Sequence, residues 1–167
     1  SMLNARDYEI SEKDKIHISD LFLLTAKPVI YVCNVDESSA ISGNKYVDSV
    51  KDFFKDKNVE ILVIAGKLEA EIADLEDPDD RKEFLSDAGL EEPGVNKLIR
   101  GAYSLLNLMS FFTVGPKEIR AWTIKKGMTA PQASGAIHSD LERGFIRAEV
   151  MKYNDFIELR SETKVKE

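Results

Sequence analysis

An apolar run turns polar at Val29-Ile30-Tyr31-Val32-Cys33-Asn34-Val35-Asp36-Glu37. Its first five residues are apolar, rich in β-branched side chains and preceded by Pro28, which is typical of a short buried strand. Helical spacing follows at 46–54, and a second apolar run covers 59–65. The order strand, helix, strand predicts a parallel α/β layer.

The composition limits the class of protein. The chain has 167 residues, of which 43% are apolar and 32% are charged, a profile typical of a water-soluble globular protein. It contains neither an apolar run of about 20 residues nor a signal-peptide pattern. A single cysteine excludes an internal disulfide, and one cysteine with two histidines cannot supply four zinc ligands. We therefore expect a cytoplasmic protein without a membrane partner.

The net charge of −7 is unevenly distributed. Residues 1–96 carry 11 basic and 22 acidic side chains, whereas the residues from Lys97 onward carry 12 basic and 8 acidic ones. The acidic residues are densest between Glu69 and Glu92, as is typical of a solvated helix face. We therefore expect the two parts to face different partners.

The remaining pattern predicts further helices and strands. Helical spacing covers 11–27, 68–75, 81–88, a stretch that begins at Pro93, and 129–144. Alternating residues predict strands at 111–114 and 119–124, and the stretches 145–150 and 156–159 are predicted to complete the set of strands. The first two of these strands form a predicted hairpin. Composition, charge sign and period all change near Met109, which predicts a domain boundary there.

Candidate binding residues follow both strands of the predicted layer. They are Asn34, Val35 and Glu37 after the first strand, and Ala65, Gly66 and Lys67 after the second. Ligands of open α/β sheets bind at the carboxyl ends of strands, where an amide and a carboxylate could recognise the edge of a nucleobase. An Asn-x-x-Glu after a strand is also typical of a turn or a helix cap, and glycine is the ordinary turn residue. The residues alone leave both interpretations open.

The other chemistry-bearing residues favour structural roles. His17 has no nucleophile to pair with, so we expect it on an exposed helix surface. His138 lies near Asp140, which favours a structural hydrogen bond, with ligand contact as the alternative. Trp122 on an alternating strand is expected in the core, and Cys33 in an apolar run is expected to be inert.

Several motifs occur together, in a fixed order from about residue 12 onward. They are Leu24-Thr25-Ala26-Lys27-Pro28, Val32-Cys33-Asn34-Val35-Asp36-Glu37, Gly89-Leu90-Glu91-Glu92-Pro93-Gly94, Leu105-Leu106-Asn107-Leu108, Phe111-Phe112-Thr113-Val114-Gly115-Pro116, Ala130-Pro131-Gln132-Ala133 and Gly144-Phe145-Ile146-Arg147-Ala148-Glu149-Val150. In this combination the chain resembles the C-terminal half of the Obg-like ATPase family, the YchF group of P-loop GTPase-related proteins.

The resemblance implies two domains. Residues 1–109 would be the C-terminal part of an α/β P-loop nucleotide-binding domain, with parallel strands and helices. Residues 110–167 would be a TGS domain, an α+β module of the β-grasp type. The family's TGS domain continues beyond the segment matched here, so we expect its sheet to be incomplete, or to be completed by another molecule or by further residues.

The resemblance also implies a nucleotide. Asn34-Val35-Asp36-Glu37 matches the family's Asn-x-x-Glu variant of the base-recognition motif, and Ala65-Gly66-Lys67 lies where related GTPases have Ser-Ala-Lys. In the family, glutamate at the position of Glu37 accompanies a preference for ATP over GTP. This agrees with the chemistry, because a carboxylate that recognises guanine meets an N1–H and an N2 amine that adenine lacks. Asn34, with the backbone of Val35, is expected to contact the adenine edge.

Activity and partners follow from the same resemblance. The chain contains no Gly-x-x-x-x-Gly-Lys-Ser/Thr phosphate loop. The family's phosphate loop, switch regions and catalytic histidine lie upstream of the matched residues, so ATP hydrolysis and Mg²⁺ binding are expected only in the full-length protein. The family's association with ribosomes implies a ribosome or ribosomal RNA partner. The alternative function is an RNA- or ribosome-binding module whose TGS domain is the working part, with Lys117 and Arg147 facing solvent and Ile119 and Ile146 facing inward.

Overall fold

The fold is described from a computed structural model that covers residues 3–57, 59–115 and 118–166. The chain divides into two compact units, Ser1–Leu108 and Met109–Glu167. Among the described residues, each unit contains one two-stranded sheet together with helices. The chain is therefore a mixed α/β protein.

The first unit alternates helices and strands. Its elements are α1 (Glu12–Ser19), β1 (Ile30–Asn34), α2 (Lys45–Phe54), β2 (Glu60–Ile64), α3 (Gly66–Asp74), α4 (Pro78–Asp87) and α5 (Gly94–Leu105). Short 3₁₀ helices lie at Ala5–Asp7, Leu24–Ala26 and Glu37–Ser39. The predicted order of strand, helix and strand is confirmed, and each boundary lies within one residue of the predicted one.

The two strands β1 and β2 pair in parallel. Their register places Ile30 beside Glu60 at one end and Asn34 beside Ile64 at the other. Parallel neighbours require a crossover connection, which α2 supplies. The parallel layer predicted from the sequence is therefore confirmed, and both strands end at the same edge of the sheet.

Helices cover both faces of this sheet. Tyr31 of β1 contacts Phe54 of α2, with ring centroids 4.2 Å apart. Glu60 lies on the opposite face, because successive side chains alternate across a strand and Glu60 pairs with the neighbour of Tyr31. Helix α5 packs over that face so closely that a Cβ at Gly101 would lie 2.7 Å from Glu60 Oε1.

The core of the first unit lies beside the start of α3. Ala65, Leu68, Ile72 and Leu85 form it, with 4%, 2%, 3% and 8% of their surface exposed. Partly buried residues that pack against this cluster are Val35, Ala40, Phe84, Ala88 and Leu90. The core therefore anchors α3 next to the carboxyl edge of the sheet.

Several helix boundaries differ from those predicted, since α3 begins at Gly66 where 68 was expected and α4 begins at Pro78 where 81 was expected. The helix expected over 11–27 ends at Ser19, because the chain turns at Phe22 with φ of +47°, a left-handed conformation that an α-helix cannot include. Pro93 was expected at the first helical position but lies one residue earlier, at the N-cap of α5. Gly89 has φ of +68° and ends α4 as predicted.

The second unit begins within a hairpin. Its elements are β3 (Leu108–Val114), β4 (Ile119–Lys125), α6 (Ala130–Gly135), α7 (Ser139–Arg143), α8 (Tyr153–Leu159) and α9 (Glu162–Lys166). The Gly115 amide donates a hydrogen bond to the Glu118 carbonyl at 2.9 Å, which closes the hairpin. This hairpin is confirmed as predicted.

Three predictions for the second unit are wrong. The helix expected over 129–144 is two helices, because His138 is extended, with φ of −162°, and starts a new one. Residues 145–150 form no strand, since no described segment pairs with them and a strand exists only through its partner. Residues 156–159 belong to α8, because a mostly apolar stretch of four residues is too short to distinguish a strand from a helix.

Replacing Leu68 with alanine should destabilise the first unit by about 2–5 kcal/mol, because the buried side chain would leave a cavity in the core. Leu24, which is 78% exposed, offers a matched control, and Leu24→Ala should change the free energy of unfolding by less than about 0.5 kcal/mol. Urea unfolding followed by circular dichroism measures both changes. Equal losses in the two variants would contradict this placement of the core.

Candidate functional site

The carboxyl ends of β1 and β2 bring the two predicted binding segments together. Asn34 ends β1 directly beside Ile64, which ends β2. The Val35 amide then donates to the Ile64 carbonyl at 2.9 Å, so the pairing continues one residue beyond the strands. Residues 34–37 and 65–67 therefore leave the same edge of the sheet.

A hydrogen bond across this edge joins the two segments. The Gly66 amide, the first of α3, donates to Asn34 Oδ1 at 2.9 Å. The first amides of a helix need acceptors from outside the helix, and Ala65 at the N-cap position has no side-chain acceptor. Asn34 therefore supplies the cap for α3 from the neighbouring strand.

This bond determines what Asn34 offers a ligand. Its Oδ1 atom is engaged by Gly66, and no acceptor in the described part of the chain bonds its Nδ2 amine. The residue is exposed, so the Nδ2 amine is a donor available at the sheet edge. Glycine permits the arrangement, because a Cβ at position 66 would lie only 3.1 Å from Asn34 Oδ1.

Val35 and Ala65 contribute to the site through the core. Ala65 is 4% exposed, and Val35 packs against the cluster that contains it. Their side chains are turned away from solvent, so any contact with a ligand would come from their backbone. Through these contacts, both binding segments are attached to the core.

Glu37 and Lys67 place opposite charges on the surface near the edge. Glu37 opens the 3₁₀ helix Glu37–Ser39 and is exposed. The Lys67 ammonium lies 3.7 Å from Glu71 Oε1 in the next turn of α3, and its side chain is 88% exposed. No described contact joins Glu37 to Asn34 or to Lys67, so the structure brings Asn34 and Gly66 into direct contact and leaves these two charges in solvent.

Asp36 is a site-forming residue that the sequence interpretation missed. Its Oδ1 atom accepts hydrogen bonds from Ser38 Oγ at 2.8 Å and from the Ser39 amide at 2.9 Å. These hydrogen bonds from Ser39 and Ser38 hold the pKa of the Asp36 carboxyl below its ordinary value of 3.8. Asp36 therefore fixes the turn from which Glu37 projects. An aspartate directly before a helix start is a capping signal that could have indicated this role.

The histidines have the structural roles expected of them. His17 is exposed on α1. His138 Nδ1 accepts a hydrogen bond from the Asp140 amide at 3.2 Å and caps α7, which confirms the structural interpretation. Within the described ranges, no group of three or more histidine, cysteine or acidic residues is arranged to hold a metal ion. None of the described helices has the length and apolarity that a membrane span requires.

Basic side chains lie on the surface of the second unit. Exposed among them are Arg120, Lys125, Lys126, Arg143 and Arg147. The Arg120 guanidinium lies over the Trp122 ring, 4.3 Å from its centroid. Lys117, which we also expected on this surface, lies outside the described residues.

The expectation that Ile119 and Ile146 face inward is wrong. Arg120 and Trp122 share one face of β4, so alternation places Ile119 on the other face, where it is 71% exposed. Ile146 lies in the segment that did not form a strand and is 91% exposed. Trp122 is half-buried, and its Nε1 donates to Thr113 Oγ1 across the hairpin at 2.9 Å.

Comparison with known proteins relates both units of the chain to YchF proteins. Residues 108–167 match the family model YchF-GTPase_C, described as a protein of unknown function (DUF933). A protein of Haemophilus ducreyi called Ribosome-binding ATPase YchF is 46% identical over 157 residues, which cover 93% of this chain and 43% of that protein. An Escherichia coli O157:H7 protein of the same name is 45% identical over 166 residues, which cover 99% and 45%.

A solved structure extends the likeness to the fold. The structure of the Schizosaccharomyces pombe YchF GTPase matches with a TM-score of 0.82 and 32% identity, over 96% of this chain and 43% of that one. The fold is thus that of a mixed α/β protein with a parallel layer and a separate hairpin unit. The chain belongs to the YchF family, as its motifs indicated, and it spans less than half the length of these relatives.

The turn at Asp36 predicts a dependence of stability on pH. Because the pKa of this carboxyl is lower in the folded chain, its contribution is complete above about pH 4 and is lost as the pH falls through the folded value. The free energy of unfolding should therefore fall less steeply below about pH 4 in Asp36→Asn than in the parent chain. Asp56→Asn, at an exposed position without a described hydrogen bond, is the control. Identical pH profiles for Asp36→Asn and the parent would contradict the role of this carboxyl.

Proposed function

We propose that these residues are the base-recognition half and TGS domain of a longer Obg-like ATPase, which binds and hydrolyses ATP in preference to GTP and associates with ribosomes. The observation that carries the proposal is the bond from the Gly66 amide to Asn34 Oδ1 at the carboxyl edge of the parallel sheet. Support comes from relatives named Ribosome-binding ATPase YchF at 45% and 46% identity.

Asn34 would hold a purine without choosing between adenine and guanine. Its free Nδ2 amine is a donor, and both purines present the N7 acceptor. Gly66 carries no side chain and is exposed, so a base can approach the backbone of residues 65–67. The exposed aliphatic stem of Lys67 can lie along the plane of the base.

Glu37 would then carry the choice of base. Its exposed carboxylate can accept a hydrogen bond from an exocyclic amine such as adenine N6. Guanine needs a carboxylate that accepts from N1–H and the N2 amine together. The position and length of the carboxylate side chain therefore decide which base it can bind. The turn capped by Asp36 fixes the position of the Glu37 backbone, from which a side chain one carbon longer than aspartate extends.

The phosphates and Mg²⁺ would be bound elsewhere in the longer protein. No phosphate-loop motif occurs in the sequence, and most of the affinity of P-loop proteins for nucleotides comes from that loop and the metal. Residues 1–167 alone would therefore bind ATP at best in the millimolar range, about −4 kcal/mol, and would not turn it over.

The domain assignment is part of the proposal. Residues 1–109 would be the end of the nucleotide-binding domain, and residues 110–167 the TGS domain. The division of the chain at Leu108 supports this boundary. The hairpin of β3 and β4 followed by short helices is compatible with part of a β-grasp module.

The second candidate function is ribosome or RNA binding by the TGS domain itself. Its exposed side chains include Lys125 at the end of β4, Lys126 in the turn that follows, Arg143 at the end of α7 and Arg147 beyond it. Cationic side chains of this kind bind RNA phosphates, with recognition by charge and shape. A ribosomal partner would place the protein in the cytoplasm.

Glu37→Asp in the full-length protein should shift the ratio of ATP to GTP affinity toward GTP. A single misplaced polar contact changes affinity by about 5- to 150-fold, and the shorter carboxylate fits guanine better. Isothermal calorimetry with both nucleotides measures the ratio. Glu83→Asp on the exposed surface of α4 is the control. An unchanged ratio in Glu37→Asp would remove Glu37 from base selection.

Reversal of Lys125 and Lys126 to glutamate should weaken co-sedimentation with ribosomes and reduce its salt dependence. Each lost phosphate contact lowers the slope of log affinity against log salt by about one. The matched control reverses Lys51 in α2 and Lys55 at its C-cap, both of which are exposed. Binding that stays constant from about 50 to 200 mM salt would argue for a protein contact in place of RNA phosphates.

A further inference from the structure

Helix α5 lacks a cap of its own. Pro93 occupies its N-cap position and has no side-chain acceptor. The missing acceptors come from α3, because Glu69 Oε1 accepts from the Gly94 amide at 2.6 Å and Glu69 Oε2 lies 3.3 Å from the Val95 amide, which donates to it. Gly94 is required for this approach, since a Cβ there would lie 2.7 Å from Glu69 Oε1.

Glu69 lies in the same helical turn as the candidate base site. Its amide donates to the Ala65 carbonyl at 3.0 Å, so Glu69 follows Gly66 by less than one turn. Leu68, between them, is 2% exposed and fixes this turn in the core. The first turn of α3 is thus bonded to β1 through Gly66 and to α5 through Glu69.

These contacts connect β1, α3 and α5 in a closed ring of interactions around the site, which we call the circuit. Asn34 of β1 caps α3, Glu69 of α3 caps α5, and α5 packs back over β1 and β2. Each helix start lacks a local cap and depends on the preceding element of the circuit. The direction of the Asn34 side-chain amide therefore depends on the position of the first turn of α3. Glu69 holds that turn through its bonds to α5.

We propose that Glu69 is a positioning residue for the nucleotide base, acting through Gly66 and Asn34. This inference rests on the proposed function of the sheet edge. Without the Glu69 carboxylate, the first turn of α3 loses its attachment to α5, and the Gly66 amide no longer holds Asn34 Oδ1 in one direction. The Nδ2 donor then has to be ordered when the nucleotide binds, at a cost in affinity.

The test compares a ligand with a base and a ligand without one. In the full-length protein with Mg²⁺, dissociation constants are measured for ATP and for inorganic tripolyphosphate in the parent and in Glu69→Ala, Glu69→Gln and Glu83→Ala. Glu69→Ala should weaken ATP binding by about fivefold, the equivalent of one lost helix cap, and leave tripolyphosphate binding unchanged. The ATP dissociation constant of Glu69→Gln should lie between those of the parent and Glu69→Ala, because the glutamine amide oxygen can still accept from the Gly94 amide. Glu83→Ala, on exposed α4, should match the parent.

The outcomes separate this inference from the proposed function. Equal weakening of ATP and tripolyphosphate, or no change in either, would make Glu69 a structural cap only and overturn the proposal. If Glu69→Ala fails to fold, the difference between the two ligands in Glu69→Gln decides. Asn34→Ala is measured in parallel. Weaker ATP binding in Asn34→Ala together with unchanged binding in both Glu69 variants would overturn the positioning role alone, whereas unchanged ATP binding in Asn34→Ala would overturn the base site and the positioning role together.

Discussion

The hydrogen bond between the Gly66 amide and Asn34 Oδ1 connects the end of β1 to the start of α3. A helix begins with amides that have no acceptors within the helix, and Ala65 cannot supply one. The acceptor therefore has to come from a neighbouring strand, which places a polar side chain at the sheet edge. The same need recurs at α5, where Glu69 replaces a local cap. Helix starts without local caps thus connect β1, α3 and α5 of the first unit to one another.

An exposed hydrogen bond of this kind contributes only about 1 kcal/mol, so it cannot organise the edge by itself. The core provides the support, since Ala65 and Leu68 lie directly beside the exposed Gly66 and are almost fully buried. The parallel register then sets Asn34 opposite Ile64. The site is therefore a small polar arrangement that a packed apolar cluster holds in place.

The second unit shows which secondary structure the sequence pattern predicts correctly and which it does not. The hairpin of β3 and β4 was predictable, because its strands follow each other closely in the chain and their residues alternate. Residues 145–150 alternate as well, yet they form no strand among the described residues, because alternation describes side chains and strand formation needs a partner's backbone. The break at His138 was missed because it depends on one side chain capping Asp140.

The sequence alone determined the parallel layer, the location of its two strands and the positions of Asn34 and Gly66 at their carboxyl ends, because local periodicity and turn residues encode these features. It also identified the family through motifs in order. Only the tertiary structure decided that Asn34 engages its oxygen with Gly66 and leaves its amine free, that Glu37 and Lys67 stand apart in solvent, and that Glu69 caps a helix 25 residues away. Contacts between residues so distant in the chain leave no local pattern, since they arise when the packed core brings separate elements together.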